Sequence, residues 1–122
     1  MVNADADALA ELFEENATVF MPFDSVPRRI EGKEEIRKGF GALFEPMRKP
    51  GSAPPYMKLE PRDVKTQRIG NDVAIITFHL GSIPGAATTS PTMFSRRTMV
   101  VRLENSRWIV QHLHASNLQL RP

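Results

Sequence analysis

The side chains in this sequence that could do chemistry are three histidines and one arginine, all in the second half of the chain. His112 and His114 stand two residues apart in a strand-like segment, so their imidazoles point to one face, about 6–7 Å apart. Two such imidazoles could begin a metal site, but zinc needs a third ligand, and residues 46–122 contain only four Asp or Glu residues. We therefore expect no metal, and we interpret the pair as histidines that bond neighbouring carbonyls or Ser116.

Arg97 stands in a segment that alternates strongly, and it shares one face with Met99 and Val101. A guanidinium among apolar side chains is either paired or free to take an anion. A structural salt bridge, an arginine at a strand end that reaches solvent, and an anion site all stay open. The chain has no nucleotide-binding glycine loop, and we expect no cofactor.

Two helices are predicted in the first half of the chain. The spacing of Leu9, Leu12 and Phe13 predicts the first helix, and a short strand at residues 17–21 follows it. A second amphipathic helix begins after Gly32. Its apolar residues are Ile36, Phe40, Leu43 and Phe44. The two glycines that flank Phe40 predict close packing against a neighbouring element.

The second half of the chain reads as strands and turns after a loop rich in proline. Residues 23–31 are expected to form a turn and a short edge strand. The predicted long strands are residues 56–69, 73–80, 93–104 and 107–118, with a loop at 81–92. Helices followed by a meander of strands indicate an α+β fold, with the helices on one face of a curved antiparallel sheet.

The strand at residues 73–80 is apolar on both of its faces. Its apolar residues include Val73 and Ile75 on one side and Ile76 and Phe78 on the other. Because an antiparallel sheet with one wet face alternates apolar and polar residues, something besides the helices must cover the second face. We favour a homodimer stacked sheet to sheet. The alternative is that the proline-rich loop covers this face.

Length and composition exclude several classes of protein. The 122 residues form a single domain, and 41% hydrophobic residues with a net charge of +2 are typical of a folded soluble chain. Without cysteine there is no disulfide, thiolate metal site or cysteine nucleophile. No membrane span or signal sequence is visible, so we expect a cytoplasmic protein without a membrane partner. The basic residues are scattered, so we do not expect nucleic acid as a partner.

The residues of the last two strands form an ordered motif. They are Arg97, Thr98, Val100, Trp108, Val110, His112, His114 and Ser116, in the form R-T-x-V…W-x-V-x-H-x-H-x-S. The first half adds D-A-L-A-x-L-F at residues 7–13 and G-x-x-x-I at residues 32–36. Together these motifs resemble the SnoaL-like branch of the NTF2-like superfamily over nearly the whole chain. The resemblance implies an α+β cone, a strongly curved sheet wrapped around N-terminal helices, with a pocket between them.

The resemblance also implies a small apolar or carbonyl-bearing ligand in the cone. The expected walls are Phe20, Phe23, Ile36, Phe40, Phe44, Val101 and Trp108. The expected polar contacts are His79, Arg97, His112 and His114. If the protein is an enzyme, we expect isomerisation or cyclisation by proton transfer on a carbonyl substrate, with His79 as the base and Arg97 stabilising the enolate.

Two departures from known relatives leave a second function open. His79 and Met99 stand where the association domain of calcium/calmodulin-dependent kinase II has pocket arginines. No acid is clearly placed as the base that ketosteroid isomerases use. The alternative hypothesis is therefore a non-catalytic association module that uses the outer face of its sheet.

Overall fold

The computed structural model describes residues 6–22, 29–45, 57–84 and 92–117. The described elements, in chain order, are α1 (Ala6–Ala10), β1 (Phe13–Phe20), β2 (Ile30–Glu31), α2 (Lys33–Phe44), β3 (Met57–Arg68), β4 (Val73–Pro84), β5 (Thr92–Glu104) and β6 (Arg107–Asn117). Helices precede the long strands, which confirms the predicted α+β class. In this part of the chain, no helix is long and apolar enough to cross a membrane.

The six strands form one curved sheet in the order β2-β1-β6-β5-β4-β3. Strands β3 to β6 make the predicted antiparallel meander. At the β5–β6 reversal, Asn105 and Ser106 both have positive φ angles, of 50° and 64°. Two such residues suit the tight turns that match the twist of a hairpin. One pairing departs from the expected antiparallel sheet, because β1 runs parallel to β6.

Strand β4 is longer than its predicted span of 73–80. Residues 81–84 were expected in a loop, but they continue the strand and pair with the first residues of β3, where Met57 lies opposite Pro84. The hydrogen-bonding partners in β3 therefore outweigh the turn-forming composition of this segment. The short edge strand expected within residues 23–31 is β2. The proline-rich residues 46–56 lie outside the described residues.

Helix α2 packs its apolar stripe on the concave face of the sheet. Ile36 and Phe40 are buried together with Val19, Val101 and Leu113 in one core cluster. Burying a side chain of this size contributes about 1.5–3 kcal/mol, so this stripe is a main source of the fold's stability. The predicted second helix is confirmed.

The first helix is shorter than its spacing predicts. Helix α1 ends at Ala10, and Leu12 is 48% exposed, whereas Phe13 begins β1 and is only 4% exposed. The carbonyl of Leu12 accepts a hydrogen bond from the Val110 amide of β6 (2.8 Å). Pairing with β6 therefore draws Leu12 and Phe13 out of the helix, which is easy because so short a helix is marginal by itself.

Glycine allows two close backbone approaches near the start and middle of α2. A Cβ at Gly39 would lie 3.1 Å from Cδ1 of Ile30, which agrees with the close packing predicted beside Phe40. Gly32, immediately before α2, has φ 89° and ψ 150°. Its amide donates to the Ala17 carbonyl (2.8 Å), so this conformation, which glycine adopts readily, ties the start of α2 to β1.

We predict that Gly32→Ala lowers the free energy of unfolding by about 1–3 kcal/mol, because only glycine adopts this backbone conformation without strain. Gly41→Ala is the matched control. A Cβ there would meet only the Cβ of Ala6 at 4.0 Å, and alanine in a helix is expected to add about 0.5–1 kcal/mol. Urea denaturation of both variants measures the difference. Equal stability in the two variants would contradict the strain at Gly32.

Candidate functional site

The two faces of the sheet differ in chemistry, and β5 shows the division. Ser95 is 1% exposed and Val101 is buried, and they lie on the concave face with Met99. Arg96, by contrast, is exposed on the outer face. Since side chains alternate along a strand, Arg97 shares the concave face with Ser95, as the sequence predicted.

Among the described residues, Arg97 is a partly buried cation without a carboxylate beside it. Its cross-strand neighbours are Phe78 on β4 and Ala115 on β6. Its Nε donates to Oγ of Ser95 (3.3 Å), and no ion pair to Arg97 is found in the described ranges. Burial lowers the pKa of the Arg97 guanidinium below its ordinary value, because desolvation penalises the charged form.

This arrangement suits the binding of an oxygen-bearing ligand. Guanidinium carries five N–H donors in a planar fork, and the bond to Ser95 uses one of them. The remaining donors match a carboxylate, a polarised carbonyl or an enolate oxygen. The neighbours of Arg97 on this face include Phe78 and Ala115 on the paired strands and Met99 two residues along β5, and such apolar surroundings strengthen an electrostatic contact.

His79 lies on the opposite face of the sheet from Arg97. It pairs with Arg96 across β5, while Phe78 pairs with Arg97. The expectation that His79 and Arg97 act together in one pocket is therefore wrong, because alternation along β4 separates them. Nδ1 of His79 instead lies 3.3 Å from a carboxylate oxygen of Asp63.

Asp63 was missed by sequence reasoning. The β3–β4 register shifts between Arg62 and Lys65, and Asp63 in this bulge has φ 54°. A bulge redirects the side chains of its residues, and here it brings the Asp63 carboxylate to His79. The only sequence signal is the residue type, because aspartate tolerates a positive φ better than most residues do.

His112 and His114 also lie on the outer face, so their predicted place in the cone is wrong. A register shift in the β5–β6 pairing is responsible: Val101 pairs with Val110, but Val100 pairs with His112. Gln111 is the extra residue of this bulge. As a result, Val110 faces the core while His112 and His114 face outward. Simple alternation would have placed all three on one face, because they are two residues apart.

Phe20 joins these two histidines instead of lining the cone. Its ring contacts His112 edge-on, with centroids 5.6 Å apart, and His114 at 5.4 Å. Thr18, the neighbour missed by sequence reasoning, places its Oγ1 2.8 Å from Nδ1 of His112. His112 thus has a polar partner, but that partner is the Thr18 hydroxyl of β1, whereas a neighbouring carbonyl or Ser116 was expected.

The other predicted wall residues divide into three groups. Ile36, Phe40 and Val101 are buried in the core cluster on the concave side. Trp108 is 40% exposed near the β5–β6 turn, where the guanidinium of Arg68 lies 5.2 Å from its ring centroid. Phe23 lies outside the described residues, and the structure does not describe the side chain of Phe44. In the part of the chain that is described, no three potential ligands gather for a metal.

Comparison with known proteins identifies the fold and the family. The sequence pattern of the SnoaL-like domain matches residues 1–119. The chain belongs to the SnoaL-like domain family. No curated protein matches this SnoaL-like domain.

Solved structures of NTF2-like proteins share the architecture of this SnoaL-like domain. A candidate dehydratase of the NTF2-like family from Streptomyces avermitilis is 17% identical, with TM-score 0.72 over 98% of this chain and 86% of that chain. An NTF2-like protein of unknown function from Pseudomonas putida KT2440 is 19% identical, with TM-score 0.66 over 94% and 74%. The association domain of C. elegans CaMKII is 19% identical, with TM-score 0.67 over 94% and 82%. At these identities the likeness shows the fold alone.

We predict that Arg97→Met raises the free energy of unfolding of this SnoaL-like domain by about 1 kcal/mol, because methionine keeps the apolar contacts and removes a desolvated charge without a carboxylate partner. The matched control is Arg96→Met on the exposed face, which should stay within about 0.5 kcal/mol of the parent. Chemical denaturation measures both variants. A loss of about 3 kcal/mol in Arg97→Met, as expected when one partner of a buried ion pair is removed, would contradict the unpaired site.

Proposed function

We propose that this SnoaL-like protein binds a small, mainly apolar molecule that carries a carbonyl or carboxylate oxygen, with Arg97 as the polar anchor. The observation that carries the proposal is the partly buried guanidinium whose described contact is a serine hydroxyl, not a carboxylate. Such a group costs stability unless a ligand supplies the missing oxygen. Conflict between stability and function is common at binding sites.

The residues around Arg97 support one kind of chemistry, the electrostatic stabilisation of negative charge on a ligand. Arg97 would stabilise negative charge that develops on a carbonyl oxygen, as an isomerase or cyclase of this fold would require. A base for proton transfer would have to come from residues other than His79, which faces away. The neighbours of Arg97 on its own face, Phe78, Ser95, Met99 and Ala115, contain neither an acid nor an imidazole. We therefore propose ligand binding as the primary function.

We expect benzoate and acetophenone to bind to the parent protein and benzyl alcohol, which lacks a carbonyl oxygen, to bind more weakly. Arg97→Met should weaken benzoate binding about 10- to 150-fold, which corresponds to the loss of a hydrogen bond to a charged group worth about 1.5–3 kcal/mol. Titrations followed by backbone amide chemical shifts measure the affinities.

His79→Gln is the matched control for this titration, because it changes a polar residue in the adjacent strand on the opposite face. Benzoate should bind this variant as it binds the parent. Equal benzoate affinity in the parent and Arg97→Met would overturn the proposed anchor. An equal loss in His79→Gln would show that the two faces are not independent.

A second candidate function is self-association through the outer face of the sheet. The centre of this face carries Ile75, Thr77, Thr98 and Val100, which are partly buried. Both described helices pack on the concave side, so within the described ranges no element covers these residues. A patch of seven residues on each of five strands measures roughly 23 Å by 24 Å. The area of this patch is of the order that each partner buries in an interface of standard size.

The charges on this face suit a second copy of the same chain. At one end Arg96 and Lys65 have no acidic partner among the described residues, while Arg62 is paired with Glu60. At the other end, Arg102 is shared by Glu14 and Glu104, and Arg107 lies opposite Glu104, so the charges there balance. A two-fold axis that runs between the two sheets, parallel to them and across their strands, stacks the outer faces and places the basic end of one copy over this balanced end of the other. This arrangement keeps the two basic ends apart and supports the homodimer.

We predict that the parent protein sediments as a dimer and that Val100→Asp sediments as a monomer. Val100 lies between Ile75 and His112 on the outer face, and two symmetry-related aspartates there would be desolvated and close together. Val100→Thr is the matched control, since threonine keeps the branched shape and adds no charge. A dimer that persists in Val100→Asp would overturn this interface.

A further inference from the structure

All three histidines of the chain lie on the outer face of the sheet. The chain contains His79, His112 and His114 and no other histidine. They occupy three successive rows of cross-strand neighbours, where His79 lies opposite Arg96, His114 opposite Thr98, and His112 opposite Val100. The face proposed for self-association is therefore also the face that carries every imidazole of the chain.

We propose that protonation of these three histidines weakens self-association, so that mild acid converts the dimer to monomers. The inference rests on the proposed homodimer and adds its regulation. Imidazoles gain a proton between about pH 8 and pH 5. A two-fold interface contains every imidazole twice, so full protonation adds charge at six positions between the two sheets.

His112 lies in the most apolar surroundings of the three. Its flanking residues are Thr18 and Phe20 on β1 and Val100 on β5. The charged groups along this face are Arg102 with its partner Glu14, and Glu31 on β2, opposite Thr18, with its partner Arg29. Among the described residues a protonated His112 covered by a second sheet would therefore find only carboxylates that already have a cation, and the desolvation of its charge would oppose association.

His114 faces Phe20 on β1 and Thr98 on β5, and the exposed cation Arg96 lies one row away. No carboxylate contacts His114 in the ranges that are described. Protonation here places a second positive charge beside Arg96. The like charges repel, and in the dimer both would be partly removed from water.

His79 is the one imidazole with an acidic neighbour. Asp63 lies 3.3 Å from its Nδ1, while Arg62, Lys65 and Arg96 face it from β3 and β5. Protonation of His79 pairs it with Asp63, and among the described residues Glu60, the other carboxylate beside this cluster, is already paired with Arg62. The basic end of the face therefore becomes more positive at low pH, and the carboxylates at the Arg102 end of the other copy are already held by Arg102.

The test is sedimentation of the full chain over a dilution series at about pH 7.0 and about pH 5.5, a window in which imidazoles titrate and ordinary carboxylates stay ionised. We expect the dissociation constant of the dimer to rise at least tenfold at the lower pH. The triple variant His79→Gln, His112→Gln, His114→Gln should remain a dimer with the same dissociation constant at both values. Circular dichroism at each pH checks that the chains are folded.

The results that contradict the proposal distinguish a failure of the dimer from a failure of its control by histidines. A parent protein that is monomeric at both pH values overturns the proposed self-association itself. A dimer with equal dissociation constants at both values overturns only the histidine control, as does a triple variant that keeps the parent's pH dependence. If the triple variant does not fold, the exposed His114→Gln alone should reduce the pH dependence. Glu35→Gln, a carboxylate variant on the exposed side of α2 and away from the outer face of the sheet, is the control that should leave the pH dependence unchanged.

Discussion

The register of β4, β5 and β6 is the constraint on which the two surfaces of this protein depend. Strand β5 is paired along its length to a neighbour on each side, so alternation along one strand sets the facing of residues on all three. The bulge at Gln111 decides which residues of β6 lie on each face, because it places His112 on the outer face and Leu113 in the core. A pairing shifted by one residue would exchange these two side chains.

The same constraint separates two kinds of chemistry within a single layer of protein. Arg97, Phe78 and Ser95 meet on the concave face, where burial raises the cost of an unmatched charge. His79 and His114 lie on the other face, each on a strand directly adjacent to that of Arg97. Ligand binding and self-association can thus be served by adjacent residues of the same strands without sharing a side chain.

Much of the fold could be predicted because its local and tertiary preferences agree. The stripe containing Ile36 and Phe40 has helical spacing and is buried as a helix, and the turn at Asn105 carries residue types that tolerate positive φ. The first helix is the exception, because its local spacing and its tertiary contacts favour different structures. Leu12 and Phe13 fit a helical pattern, but the backbone pairing with β6 and the contact of Phe13 with Phe40 (centroids 6.2 Å apart) favour a strand.

The site was less predictable because it depends on bulges. Arg97 was placed correctly, since alternation holds through β5 on its side of the register shift. His112 and His114 were assigned to the wrong face because no feature of the sequence shows that Gln111 is an extra residue. Asp63 was missed for the same reason, since its approach to His79 exists only where β3 bulges.

The most direct measurement of the separation between the faces is side-chain NMR of Arg97 Nε–Hε and the three imidazoles in one sample, titrated with benzoate at constant pH. Arg97 Nε donates to Ser95 on the concave face, and the imidazoles lie beyond the sheet. The Arg97 signal should move with benzoate, while the signals of His79, His112 and His114 stay in place. Imidazole signals that move in step with Arg97, or an Arg97 signal that does not move, would contradict a ligand site confined to the concave face.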